Sequence, residues 1–153
     1  MYSNQYQNAV ISWWGEKPQS QCLAVTLTMK QLVDQQKLDR YAATQNLRHC
    51  LNQVNRELFG NAARRYNKKI DVVPFQHRSA TKRLHYHLIM RVPESVPASR
   101  LKETVIGCWK HTRFGLAEHA ITNAYAPERW ISYMINRNSQ SPKLDIENIC
   151  ISR

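Results

Sequence analysis

The chain has 153 residues, about one domain's worth, and its 42% hydrophobic content is enough to bury a core. A mean hydropathy of −0.58 with no long apolar run excludes a membrane span, and without a basic start, apolar block and cleavage site in the first residues a secretory leader is not expected. Twenty-two Lys and Arg against eleven Asp and Glu leave a charge of +11, which favours a polyanionic partner because each neutralised phosphate releases condensed counterions.

The first 20 residues are polar apart from Val10, Ile11, Trp13 and Trp14, and read as a partly ordered arm ahead of one domain spanning 21–153. Residues 22–29 alternate, with Leu23, Val25, Leu27 and Met29 on one side and Ala24, Thr26 and Thr28 on the other, the pattern of a half-buried strand. Between 37 and 59, Tyr41, Leu47, Leu51, Val54 and Leu58 recur at three- and four-residue steps before Gly60, which predicts a long amphipathic helix. A basic connector with Arg64, Arg65, Lys68 and Lys69 leads to two apolar runs, 70–77 and 84–92, joined by a polar turn and read as a β-hairpin. Pro74 cannot donate a ladder hydrogen bond, so its strand lies at an edge or bulges there. Ser99 is placed to cap a helix through Leu101, Val105, Ile106 and Trp109; residues 118–125 read as another strand; and Pro127 suits the first turn of a last helix over 128–137. The stretch 138–142 breaks that helix, and Leu144, Ile146, Ile149 and Ile151 fit either a final strand or a tail. The expected fold is α+β: a central antiparallel sheet with helices mainly on one face.

Two negatives narrow the chemistry. None of Gly15, Gly60, Gly107 and Gly115 sits in a phosphate-cradling loop, so neither a P-loop nor a dinucleotide fingerprint is present. Cys22, Cys50, Cys108 and Cys150 are far apart with no C-x-x-C pair, and read as reduced packing residues rather than a zinc ribbon or disulfide framework.

The segment Arg83-Leu84-His85-Tyr86-His87-Leu88-Ile89-Met90 is the most informative. Alternation along a strand puts His85, His87 and Ile89 on one face and Leu84, Tyr86, Leu88 and Met90 on the other. In a regular hairpin His77 joins the histidine face and Gln76 points away; a bulge at Pro74 would exchange them. Three imidazoles on one open surface form a candidate divalent-metal site, whereas His49, His111 and His119 have no such company.

His85-Tyr86-His87 on a strand resembles the signature of the His-hydrophobic-His (HUH) endonuclease superfamily, which contains rolling-circle replication initiators, relaxases and single-strand transposases. The resemblance extends over about residues 22–137, through an early strand with Thr26-Leu27-Thr28, a ligand position eight residues before the first His (His77), and a tyrosine on a late helix. It implies a ferredoxin- or RRM-like nuclease fold, metal ligands His77, His85 and His87, and Tyr133 as nucleophile. Replication initiators often carry a carboxylate where this chain has His77. Three imidazoles lack the hard oxygen donors that suit magnesium, so manganese is expected to be preferred.

On the late helix Trp130, Ile131, Met134 and Ile135 form an apolar arc, while Arg129, Tyr133 and Arg137 follow at four-residue steps along its border. The family commonly has a lysine three or four residues after its tyrosine; here Asn136 and Arg137 stand there. Arg137 can clamp phosphate but not give up a proton. Tyr125 is the nearest other tyrosine and lies before Pro127.

The resemblance implies site-specific nicking and joining of single-stranded DNA through a 5′-phosphotyrosine, of the single-tyrosine initiator type that starts rolling-circle replication of a plasmid, phage or satellite element. The partner expected is single-stranded DNA or an origin hairpin, touched by Lys82, Arg83, Arg129, Asn136 and Arg137, with Arg64, Arg65, Lys68 and Lys69 extending a basic track. A host helicase and polymerase would act downstream, and a monomer in a bacterial cytoplasm is expected. The alternatives are a transposase or relaxase of the same superfamily, and a sheet-based nucleic-acid binding module that does no cutting. Trp13 and Trp14 fit either base stacking or cover of a sheet edge.

Overall fold

The computed structural model describes residues 4–16, 21–136 and 143–152. Its centre is a five-stranded antiparallel sheet in the order β6-β1-β5-β4-β7. The strands are β1 (Cys22–Met29), β4 (Val72–Arg78), β5 (Leu84–Arg91), β6 (Gly115–Ala124) and β7 (Lys143–Leu144), and a two-residue hairpin, β2 (Leu32–Val33) with β3 (Gln36–Lys37), follows β1. Asp34 and Gln35 both take positive φ at its turn, the geometry that matches the twist of a tight hairpin.

Sequence period explains the two-sided core. Leu23, Val25, Leu27, Leu84, Tyr86, Leu88 and Met90 face α2 (Arg40–Phe59) and α4 (Ala98–Lys110) in one buried cluster. This is the larger helical layer that the alternation in β1 and β5 anticipates. Asp39 starts α2 by accepting the Ala42 N–H at 2.7 Å, and Gly60, at φ 53°, ends it and leads into the short α3 (Asn61–Arg65). At the start of α4 the cap position is held by Pro97 with no side-chain cap, so Ser99 lies one residue inside the helix and does not cap it. Gly115 opens β6 where a Cβ would collide with the Trp109 carbonyl oxygen; only glycine allows the chain to leave α4 so closely.

The opposite face carries a second, smaller cover. The segment read as an arm contains a helix, α1 (Asn4–Gly15), and Val10 and Trp14 are fully buried. With Ile131 and Met134 of α5 (Pro127–Asn136) they pack on Cys22, Val73, Phe75 and Ile89. Pro127 is the first residue of α5, as its missing N–H favours. Arg91 ties α1 down: its guanidinium bonds the Trp14 carbonyl at 2.7 Å and lies 4.5 Å from the indole ring. It also pairs with Asp71 at 2.9 Å, both side chains being buried.

β4 runs beside β5 in continuous register from Val72↔Met90 to Arg78↔Leu84, with no bulge at Pro74. Alternate residues bond outward to the C-terminal segment: Val72 exchanges bonds with Cys150, and the Pro74 carbonyl accepts from Asp145. The strand is therefore neither bulged at Pro74 nor at the sheet edge, because β7 flanks it; the proline nitrogen sits on the outer side of β4, where it breaks no bond to β5. The C-terminal segment forms β7, a 3₁₀ turn (Ile146–Asn148) and a bridge at Cys150 along this edge. No described helix is long and apolar enough to cross a membrane.

Candidate metal centre

Regular pairing of β4 with β5 sets His77 directly across from His85, with His87 two residues further along the same face. The His77 Nδ1 to His85 Nε2 distance is 3.3 Å, and His85 Nε2 lies 3.1 Å from His87 Nε2. One donor atom from each ring falls within 4.8 Å of the others, and all three residues are half-buried. Gln76, the alternative ligand, is buried on the other face, where its amide bonds Tyr86 Oη at 2.8 Å and Thr44 Oγ1 at 2.8 Å.

These spacings suit a shared cation. With metal–nitrogen bonds near 2.1 Å, neighbouring donors lie about 3.0 Å apart in octahedral and about 3.4 Å apart in tetrahedral coordination. His85 Nε2 is close to two ring nitrogens at once, and its single lone pair or single proton serves one partner well; one cation satisfies all three lone pairs. Burial lowers the His85 pKa from its ordinary value, against a smaller opposing effect from the Arg83 carbonyl, so the ring is neutral and ligand-ready near pH 7. The outer nitrogens have orienting partners: His87 Nδ1 is 3.1 Å from Thr26 Oγ1, and His85 Nδ1 is 3.3 Å from the Arg83 carbonyl. Protons on those nitrogens leave both Nε2 lone pairs facing inward. The three histidines form a cluster that could hold a metal ion.

Around this cluster one sheet face is divided. α5 and α1 cover its β4–β5 side beyond the histidines, with the Phe75 and Trp130 rings edge to face at 5.8 Å. Towards β6 the same face stays open: Thr26 and Thr28 are half-buried, and Glu118, Ala120 and Thr122 are exposed.

Tyr133 is on α5, the helix seated on the histidine face by Ile131 and Met134, and its side chain is 60% exposed. Arg129 on the same helix is exposed, Asn136 is the last residue of α5, and Arg137 lies outside the described residues. Tyr125 precedes the helix and is 91% exposed. Lys82 and Arg83 are exposed in the β4–β5 turn next to His85, with Lys82 at φ 62°. Arg64, Arg65, Lys68 and Lys69 precede β4 and therefore sit at the other end of the hairpin, so the basic residues make two groups and no single track. Trp14 is buried and unavailable for base stacking, while Trp13 is 42% exposed.

Sequence reasoning did not single out two features. Thr26 as a partner of His87 required knowing that β1 pairs with β5, which places the two residues opposite each other. The hydroxyl of Tyr86, between the two ligands on the hidden face, donates to Asp145 at 2.7 Å, and Asn148 donates to the same oxygen at 2.8 Å. This buried network fastens the C-terminal segment to the strand that carries the histidines.

The fold and site thus define an α+β chain with a three-histidine cluster of metal-binding geometry. No family model, curated protein or solved structure matches the chain.

Proposed function

We propose that the chain is a metal-dependent endonuclease and strand transferase acting on single-stranded DNA, with Tyr133 as nucleophile and His77, His85 and His87 holding the cation. The observation that carries this reading is the convergence of three imidazole donors at 3.1 and 3.3 Å on the sheet face that also seats the tyrosine helix. A divalent cation there would supply Lewis-acid polarisation of a non-bridging oxygen of the scissile phosphate. Tyr133 Oη forms the new bond to phosphorus, the bond to the 3′ oxygen breaks, and the phenolic proton ends on that oxygen. The products are a 5′-phosphotyrosine and a free 3′-hydroxyl. Phosphodiester energy is kept in the covalent link, so the reverse attack rejoins strands without ATP. Lys82, Arg83 and Arg129 hold neighbouring phosphates, with Asn136 and Arg137 completing the contacts. The open surface over β1 and β6 gives the strand access to the cation. The role we assign to this chemistry is initiation of rolling-circle replication by a monomer, with a transposase or relaxase of the same chemistry as the alternative.

The test is incubation with labelled single-stranded oligonucleotides covering the DNA beside the gene, read on a denaturing gel. A covalent band is expected with manganese, weaker with magnesium at the same low concentration, absent in chelator and absent for Tyr133→Phe but kept for Tyr125→Phe. A band that persists in Tyr133→Phe, or none with either metal, overturns the proposal.

A further inference from the structure

We infer that the turn Arg64-Arg65-Tyr66-Asn67-Lys68-Lys69, at the end of the sheet away from the histidines, is a second, non-catalytic anchor for single-stranded DNA. Four of its six side chains are cationic, and among the described residues none of the four forms a salt bridge. Tyr66 presents an aromatic side chain that is 78% exposed. Its backbone is nonetheless held: Tyr66 N–H bonds the Ala62 carbonyl at 3.0 Å, Asn67 takes φ 52°, and Lys68 N–H returns to the same carbonyl at 3.3 Å. A left-handed residue closing two bonds onto the last helical turn is a fixed helix end, so the ring is offered from a preorganised support.

Beside it lies a cleft of about 590 Å³ walled by Phe59, Tyr66, Lys68 and Lys69. Lys68 Nζ stands 4.9 Å from the centre of the Phe59 ring. Of the two carboxylates on the lining, Asp71 is committed to Arg91 and the Ser152 N–H, which leaves Glu94 as the acidic group on the rim. An exposed aromatic ring set among cations without salt-bridge partners is what an unpaired strand uses: a base stacks on the Tyr66 ring while phosphates meet the ammonium and guanidinium groups. A duplex hides its base faces, and a lipid headgroup has none to stack. From His85 to Arg91, which lines the same cleft, β5 climbs about 20 Å. The anchor is therefore separate from the metal site, and takes from the proposed function only that the chain handles single-stranded DNA.

Fluorescence anisotropy of the full-length protein with labelled dT20 in chelator tests this without any cleavage. For the variant with Arg64, Arg65, Lys68 and Lys69 changed to Ser, the slope of log affinity against log salt should fall by about 2 to 3. Tyr66→Ala should weaken binding roughly 5- to 100-fold and Tyr66→Phe should restore it, with unchanged manganese binding showing that the fold is intact. Binding of dT20 with an unaltered slope in the Ser variant overturns the anchor and leaves the nuclease reading standing. A Ser variant that loses anionic vesicles yet keeps dT20 also overturns it, in favour of a membrane contact. If the protein binds no dT20 at all, the anchor falls, and the nuclease reading is decided by its own covalent-band test.

Discussion

Thr26 supplies a sharp test of how the histidines are held. Its Oγ1 is 3.1 Å from His87 Nδ1, and Thr26→Val removes that hydroxyl while keeping a β-branched side chain suited to the strand. Loss of an outer partner to a metal-binding histidine costs about 10- to 100-fold in affinity, or about 1.4 to 2.7 kcal/mol. Thr28 on the same strand and face gives the control: it stands across from His85, but its hydroxyl donates to the Glu118 carbonyl at 2.6 Å and makes no hydrogen bond to a histidine. Titration calorimetry with manganese should show weaker binding for Thr26→Val and a near-native constant for Thr28→Val. Since the site is half-buried, unfolding midpoints should move little. Equal affinities for Thr26→Val and the parent would refute the view that this hydroxyl orients the His87 ring for the metal. Equal losses in the two variants would show that strand packing, and no specific bond, carries the effect.

Three other outcomes follow from the packing and charges. Gly115→Ala drives a Cβ into the Trp109 carbonyl and against Thr112 Oγ1, and should lower the unfolding free energy by about 2 kcal/mol or more in urea; a native midpoint would show that the α4–β6 junction shifts freely. Asp71→Ala strands the buried Arg91 guanidinium and should cost about 3 to 5 kcal/mol, and a loss under 1 kcal/mol would mean the pair is hydrated. Because burial holds the folded His85 pKa below its ordinary value, the unfolded chain takes up the proton first on acidification. The stability due to the neutral ring is complete above about pH 6.5 and is lost as pH falls through the lower folded value. In chelator the parent should lose more stability between about pH 7.5 and 5 than His85→Gln does; parallel curves would contradict this.

Much of this architecture was readable because its signals are local. Alternation over 22–29 and 84–90 set the two faces of the sheet, and the three- and four-residue steps in α2 set its buried side. The position of His77 beside His85 followed from hairpin parity once Pro74 caused no bulge. What escaped depends on partners distant in sequence. Among the α1 residues whose burial is described, Val10 and Trp14 are fully buried, and Arg91, some 77 residues away, meets Trp14 and ties the helix down. Strand order, and with it the approach of Thr26 to His87, rests on which strands pair rather than on the pattern within any one. The basic residues looked like one track in sequence, but a hairpin separates its turn from its base by its whole length. On α5 the apolar arc and its border were legible, since Ile131 and Met134 do face inward while Tyr133 is exposed.

The most direct measurement is anomalous scattering from crystals soaked in manganese. One peak is expected about 2.1 to 2.3 Å from His77 Nδ1, His85 Nε2 and His87 Nε2, vanishing in His85→Ala crystals. Three well-ordered imidazoles with no peak between them, or a peak held by other side chains, would contradict the account.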